Sequence, residues 1–294
     1  MANSNNIEVE FKLALGPQGS QAAANSSVLR DSKATCMPLG NRYFDTPAGA
    51  LRRHGLALRL RKGEGEHIIQ TLKSQGTSTG GLSERGEWQW QRDADALDLA
   101  ALKTLAEQTE ALAVLADDEV LNALTPLFET DFERHAYTLD WHGARVELAI
   151  DQGVIKAGEK ECRINEMELE LKGGNPESMW SLADTLAREV ILRPANASKA
   201  ARAAALITPR DLPGSLPGTA DELLATVIQG LDIQQDEPDN PRGTTLAQQA
   251  AAALASCCPR PEARQLADCL KDGDWQHSQR FGELALALSR SLGH

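Results

Sequence analysis

Carboxylates and an ammonium group alternate with apolar side chains in the segment 7–13. Glu8, Glu10 and Lys12 stand at every second position, and apolar residues fill the places between them. Successive side chains of a β-strand point to opposite faces, so this spacing predicts one charged face and one apolar face. Carboxylate oxygens are hard ligands for Mg²⁺ or Mn²⁺, and ammonium groups pair with phosphate oxygens. The segment therefore carries groups suited to a metal-bound phosphate.

The same alternation returns in the segment 166–172, and other predicted strands also carry charges at alternate positions. Taken alone, such a strand is more often a solvated face or a protected sheet edge. The joint pattern instead predicts that these faces are turned towards one another. The charged positions concerned are Glu8, Glu10, Lys12, Arg59, Arg61, Lys73, Arg85, Glu87, Arg134, Arg145, Glu147, Glu166, Glu168, Glu170 and Lys172.

A closed barrel would bring these charged faces into one lumen and leave the apolar faces outside, where helices can cover them. Burying many like charges is prohibitive unless opposite charges or ligands compensate them. Both signs occur here, with carboxylates for metal and cationic groups for phosphate. The pattern predicts a lumen that binds a polyphosphate together with a divalent metal.

Periodicity and turn residues predict the elements that position these groups. The predicted strands span 7–13, 41–47, 56–62, 67–73, 83–91, 128–139, 144–150 and 161–172. Helices are predicted inside 14–35 and over 95–124, 177–190 and 198–207, with a hairpin turn at 63–66 and a flexible loop at 76–81.

Three prolines and two glycines in the segment 209–218 predict a linker between two domains. The first domain would span 1–208 and carry all the strands. The second, over 219–294, shows only Ala- and Leu-rich helical patterns. We expect these amphipathic helices to bury a face either against the rest of the chain or in a homodimer.

The composition excludes several classes of function. A net charge of −12 argues against binding to nucleic acid or to an anionic membrane, because both need a positive field. No apolar run reaches the length of a membrane helix and the N-terminus lacks signal-peptide features, so we expect a cytoplasmic protein. The five cysteines lack the paired spacing of a zinc site, and we expect them to be reduced.

The ordered motifs resemble the CYTH family, also called triphosphate tunnel metalloenzymes, over roughly residues 5–207. Within that family, the segments 79–82, 131–132 and 149–153 are most similar to bacterial inorganic triphosphatases. The motifs that carry the family resemblance are Glu8-Val9-Glu10-Phe11-Lys12, Tyr43-Phe44-Asp45-Thr46-Pro47, Leu58-Arg59-Leu60-Arg61, Lys73, Arg134, Glu147 with Asp151, the acidic strand at 166–172, and Ser198-Lys199-Ala200-Ala201-Arg202.

The resemblance implies an α+β fold, with an eight-stranded antiparallel β tunnel, flanking helices and a small C-terminal all-helical segment. It also implies roles for the residues that match the motifs. Glu8, Glu10 and Lys12 would be catalytic. The implied metal ligands are Glu8, Glu10, Glu166 and Glu168, with Glu147, Asp151 and Glu170 as further ligands or supporting groups. The implied phosphate-binding residues are Lys12, Arg59, Arg61, Lys73, Arg85, Arg134, Lys199 and Arg202.

The implied activity is hydrolysis of inorganic triphosphate to pyrophosphate and phosphate, with Mg²⁺ or Mn²⁺ as cofactor. Phosphoryl transfer depends on charge neutralisation and positioning, so no covalent nucleophile is required. Thiamine triphosphatase, nucleoside triphosphatase and class IV adenylate cyclase remain alternatives, because a triphosphate clamp does not define the organic group. A non-catalytic polyphosphate-binding module is a further alternative, although the acidic strands would weaken simple anion binding. Bacterial relatives often carry a long helical CHAD domain, and residues 219–294 are too few for a complete one.

Overall fold

A computed structural model describes residues 7–63, 67–271 and 275–293, so the predicted hairpin turn at 63–66 falls mostly outside the described residues. The described residues form ten strands. They are β1 (Ile7–Leu15), β2 (Thr35–Asp45), β3 (Ala57–Lys62), β4 (Ile68–Lys73), β5 (Thr77–Thr79), β6 (Leu82–Arg92), β7 (Thr125–Trp141), β8 (Ala144–Ala157), β9 (Lys160–Gly173) and β10 (Leu192–Pro194).

Eight of these strands close into one antiparallel barrel in the order β1-β9-β8-β7-β2-β3-β4-β6, and β6 pairs again with β1. Closure leaves none of these eight strands as a free edge. The short β5 pairs with β6, and β10 pairs with β1. The predicted eight-stranded tunnel is confirmed, whereas the sequence missed β5 and β10, which have three residues each.

Helices flank the barrel and form the C-terminal part of the chain. A 3₁₀ helix, Glu110–Ala116, divides the predicted helical region 95–124. Aspartate side chains cap the α-helices before and after it: Asp98 accepts from the Ala101 N–H, and Asp117 accepts from the Glu119 N–H. The α-helices are α1 (Gly19–Ala24), α2 (Ala50–Arg53), α3 (Leu99–Ala106), α4 (Asp118–Asn122), α5 (Glu177–Ala187), α6 (Lys199–Ile207), α7 (Ala220–Asp236), α8 (Arg242–Cys257), α9 (Pro261–Lys271) and α10 (Gln279–Leu292).

The apolar faces of the strands lie outside the barrel, as predicted. On β1, Phe11 and Leu13 are fully buried in a cluster that includes α5. The Phe11 ring meets Trp180 of α5 edge to face, with ring centroids 4.7 Å apart. The prediction that Arg145 lines the lumen is wrong, because this side chain is exposed near the start of β8 and pairs with Asp140 at 3.4 Å.

Helix α6 fills one end of the barrel. Its Ala203 and Leu206 pack against Phe132, Ile155 and Ile164, which lie on the same strand faces as the charged residues further along the lumen. The alternation in the sequence predicts charges inside the barrel but gives no sign of this apolar plug. The lumen is therefore charged in one part and apolar at the end that α6 occupies.

The C-terminal helices share an apolar cluster with residues of the first 208 positions, among them Ala14 and Ala195. Helix α10 packs on β10 and on α5, and the segment 209–218 contains no helix or strand. The division of the chain into two domains stays a prediction. Among the described helices, none is both long enough and apolar enough to span a bilayer.

Candidate functional site

The charged part of the lumen contains a cavity of about 740 Å³, which residues of α6 also line. Most of the site residues predicted from the sequence line it, and Asp151, Glu166 and Arg202 do not. The charged residues that line it are Glu8, Glu10, Lys12, Asp45, Arg52, Arg59, Arg61, Lys73, Arg85, Glu87, Arg134, Glu147, Glu168, Glu170, Lys172 and Lys199.

A buried cluster of carboxylates surrounds the ammonium group of Lys199. Its Nζ donates to Glu166 Oε1 at 2.5 Å, to Asp151 Oδ2 at 2.6 Å and to Glu168 Oε1 at 3.0 Å. The three carboxylates each offer an oxygen within 4.8 Å of the others, which is a spacing that could hold a metal ion. In this structure the Lys199 ammonium lies among them and donates to all three.

Two further cations contact Glu168 of this cluster. Arg134 donates to both oxygens of Asp151 at 2.8 and 2.7 Å and to Glu168 at 2.6 Å, while Lys12 donates to Glu168 at 2.6 Å and to Glu10 at 2.7 Å. Burial by itself would raise the pKa of Glu168. The positive charges of Lys12, Lys199 and Arg134 outweigh that effect and hold this pKa well below its usual value.

The substitution Glu168→Gln is expected to lower the free energy of unfolding by about 3–5 kcal/mol, because it removes the shared partner of several buried cations. Since the folded-state pKa is depressed, the carboxylate contributes its stability above its ordinary pKa of 4.5 and loses it as pH falls through the folded value. Denaturant unfolding should therefore show a large difference in the free energy of unfolding between variant and wild type at neutral pH, and a smaller difference in acid. Glu161→Gln, an exposed change on the same strand, should match wild type. Equal stability of Glu168→Gln and wild type at neutral pH would contradict this assignment.

Two cations also hold the first two glutamates of β1. Lys73 donates to both oxygens of Glu8, at 2.8 and 2.7 Å. Arg85 bridges the pair, donating to Glu8 and to Glu10 at 2.8 and 2.7 Å. Burial raises the pKa of Glu8, but Lys73 and Arg85 more than reverse this and keep the pKa below its usual value. Both carboxylates are therefore ionised and fixed in orientation.

A row of three carboxylates crosses β1, β9 and β8 where they face the cavity. Glu10 lies opposite Glu170, and Glu170 lies opposite Glu147. Lys172 pairs with Glu170 at 2.5 Å, but no cation among the described residues lies within ion-pair distance of Glu147. Burial raises the pKa of Glu170, Lys172 opposes this, and the charges of Glu8 and Glu147 raise it further. Glu147 therefore leaves this acidic row with a carboxylate that has no cation of the described residues beside it, and a divalent cation would compensate its charge.

Guanidinium groups form a basic wall on β3. Arg61 donates from Nε to Asn41 Oδ1 at 2.8 Å and has no carboxylate within ion-pair distance among the described residues. Burial together with the nearby Arg59 and Arg134 lowers the pKa of Arg61 to about 9, so the group is still charged at neutral pH. Arg59 Nε is buried without a hydrogen-bond partner in the described chain, and its contact with Glu87 is long at 3.9 Å. Unpaired buried donors favour an anionic ligand.

Arg202 was expected to bind phosphate, but it lies between α6 and α7 and is 3% exposed. It donates to Asp236 at 2.7 Å and to Glu166 at 3.3 Å, so its guanidinium is already paired with carboxylates of the protein. Sequence reasoning missed Asn41 and Tyr43, which share a face of β2. Asn41 orients Arg61, and Tyr43 lines the cavity. Their spacing of two residues beside the charged β3 was the available signal.

Comparison with known proteins gives three findings. The model of the CYTH domain family matches residues 6–204. The inorganic triphosphatase of Haemophilus influenzae is 33% identical over 201 residues, which cover 66% of this chain and 53% of that protein, so the match spans about half of the relative's length. A solved structure from Hippeastrum, described as revealing a dominant triphosphatase activity, has a TM-score of 0.51 at 21% identity and covers 70% of this chain and 98% of its own. The last likeness shows the fold alone.

Proposed function

The chain belongs to the CYTH family, and from this premise we propose that it hydrolyses inorganic triphosphate to pyrophosphate and phosphate with Mg²⁺ or Mn²⁺. The supporting observation is that one cavity contains both Arg61 and Glu147, and neither has an oppositely charged side chain within ion-pair distance among the described residues. Triphosphate carried with a divalent metal would compensate both. The triphosphatase relative from Haemophilus influenzae supports the same reaction.

On this proposal Arg59, Arg61 and Arg134 bind the phosphate oxygens. A guanidinium presents its donors in a rigid fork that matches such oxygens. The groups are in place before the substrate arrives, because Asn41 holds Arg61 and Asp151 holds Arg134. Preorganised charge of this kind stabilises the developing charge of phosphoryl transfer without reorganisation.

The acidic row fits a divalent metal by the chemistry of its donors, since Glu10, Glu147 and Glu170 offer only carboxylate oxygens to the cavity. A bound Mg²⁺ or Mn²⁺ would neutralise triphosphate charge and polarise the bond to be broken. The positioning is done by protein residues. Lys12 and Arg85 fix Glu10 from two sides, so that carboxylate keeps its orientation towards the lumen.

A direct assay tests this proposal. We expect the protein to release equal amounts of phosphate and pyrophosphate from tripolyphosphate with Mg²⁺ or Mn²⁺, and excess chelator to stop the release. Binding without release would favour the polyphosphate-binding module instead. Metal-loaded protein that neither binds nor cleaves tripolyphosphate would refute the proposed function.

An apolar rim favours organic triphosphates as the second candidate. Leu127, Phe128 and the half-exposed Ile207 line the cavity beside the charged wall. Such side chains would contact an organic group better than a phosphate. Comparing kcat/KM for tripolyphosphate, thiamine triphosphate and ATP identifies the preferred substrate. Formation of cyclic AMP together with pyrophosphate from ATP would indicate a cyclase.

A further inference from the structure

Helix α7 of the C-terminal region holds the segment that leads into α6. The Asp232 carboxylate of α7 accepts the backbone N–H groups of Asn196 and Ala197 at 3.0 and 2.9 Å. Its other oxygen accepts from Arg193 Nη1 at 2.6 Å. Arg193 is fully buried and Asp232 is 5% exposed. One carboxylate thus fixes the backbone just before Lys199.

The fixed segment also supports the rim of the cavity. Asn196 Oδ1 accepts from the Gly81 N–H at 3.0 Å and from Ser78 Oγ at 3.1 Å. All three residues line the cavity. Asp232 therefore holds the backbone of a residue that belongs to the cavity wall.

A second aspartate of α7 reaches the site through ion pairs. Asp236 accepts from Arg202 Nε at 2.7 Å, and Arg202 donates to Glu166 Oε2 at 3.3 Å. The other oxygen of Glu166 accepts from Lys199 at 2.5 Å. These four side chains are each at most 8% exposed, so water screens their charges weakly. Without the Asp236 charge, Glu166 would be the one carboxylate within ion-pair distance of Arg202 among the described residues, and the stronger pull of Arg202 would weaken the hold of Glu166 on Lys199.

We propose that Asp232 and Asp236 are positioning residues, through which α7 fixes segment 195–202 and sets the place of the Lys199 ammonium in the cavity. The two aspartates are four residues apart and so lie on one face of the helix. An apolar cluster also packs the C-terminal helices against the barrel. The effect on substrate rests on the proposed function, while the anchoring of the segment does not.

The variant Asp236→Asn keeps the side-chain shape but removes the charge. We expect its KM for tripolyphosphate to rise about tenfold with a much smaller change in kcat, because a misplaced cation weakens binding first. Asp236→Glu should recover most of the loss. Glu237→Gln is the matched control, because it removes the neighbouring carboxylate, whose partner Arg242 lies within the C-terminal region. Its KM should equal that of wild type.

A second measurement does not depend on activity. Amide exchange across 195–202 should become about tenfold faster or more in Asp232→Asn and Asp236→Asn, and stay unchanged in Glu237→Gln. Asp232→Asn provides the test if Asp236→Asn does not fold. An unchanged KM in the folded variants overturns the proposal, since a purely structural role would lower only the melting temperature. If wild type failed to cleave tripolyphosphate, the proposed function would fall, and unchanged exchange would still overturn the anchoring.

Discussion

Replacing Arg61 with alanine is expected to weaken tripolyphosphate binding about a hundredfold, since truncating one partner of a buried charge pair costs roughly 2–5 kcal/mol and 1.4 kcal/mol is tenfold. Arg61 faces the cavity with no carboxylate partner in the described chain, so its charge is available to the ligand. Isothermal titration calorimetry with tripolyphosphate measures this loss directly.

The same variant should lose no folding stability, which distinguishes it from a structural substitution. The charged Arg61 guanidinium is buried and repelled by Arg59 and Arg134, and these effects lower its pKa to about 9. Removing the charge removes that repulsion, and we expect the free energy of unfolding at neutral pH to stay within about 1 kcal/mol of wild type or to rise. Denaturant unfolding measures whether the free energy of unfolding rises or falls.

Lys62→Ala is the control for Arg61→Ala. Lys62 is the next residue of β3, its side chain is 62% exposed, and it pairs with Asp95 outside the cavity at 2.8 Å. Removing it should leave tripolyphosphate affinity unchanged. If Arg61→Ala binds tripolyphosphate as tightly as wild type, the basic wall is not the phosphate site.

Strand alternation was sufficient to place the charged faces inside the barrel. Each of β1 and β9 has only two faces, and the face that carries apolar residues such as Phe11 and Leu169 must be covered from water. Glu10 and Glu168 could then only point into the lumen. The same logic does not show how far the lumen extends, because Arg145 lies on the same strand face as Glu147 but is exposed near the start of β8.

The partners of each charge could not be predicted in the same way. Asp151, Glu166 and Glu168 have the composition of a metal site, but Lys199 from α6 fills the space between them. Nothing in the spacing of the strands indicates which carboxylates are already paired with a cation of the protein. That distinction depends on how a helix far along the chain enters the barrel.

The C-terminal helices illustrate a related limit. Their helical character and apolar pattern follow from periodicity, but Asp232 and Asp236 are two acidic residues among the 42 of a chain with net charge −12. Only their contacts with Arg193 and Arg202 set them apart. Ion pairs between distant elements leave no local pattern in the sequence, so the link between this region and the site is visible only in three dimensions.

Replacing Glu170 with glutamine is expected to reduce metal-dependent phosphate release by about a hundredfold or more, the scale of a lost transition-state contact of roughly 2.7–4 kcal/mol. Glutamine keeps the size of the side chain and an oxygen that can accept from Lys172, but it provides a poorer metal ligand. Mn²⁺ affinity, measured by titration calorimetry, should fall together with the rate. Because the change relieves repulsion from Glu147 and Glu8, we expect no loss of folding stability.

Asp151→Asn tests the same assignment from the other cluster. If the metal lies in the acidic row, this variant should keep its Mn²⁺ affinity and lose stability, since Arg134 and Lys199 would lack their shared carboxylate. If the metal instead lies among Asp151, Glu166 and Glu168, Asp151→Asn should lose Mn²⁺ and Glu170→Gln should retain it. The two variants therefore give opposite patterns of affinity and stability, and the pattern decides which carboxylates hold the metal and which hold Lys199.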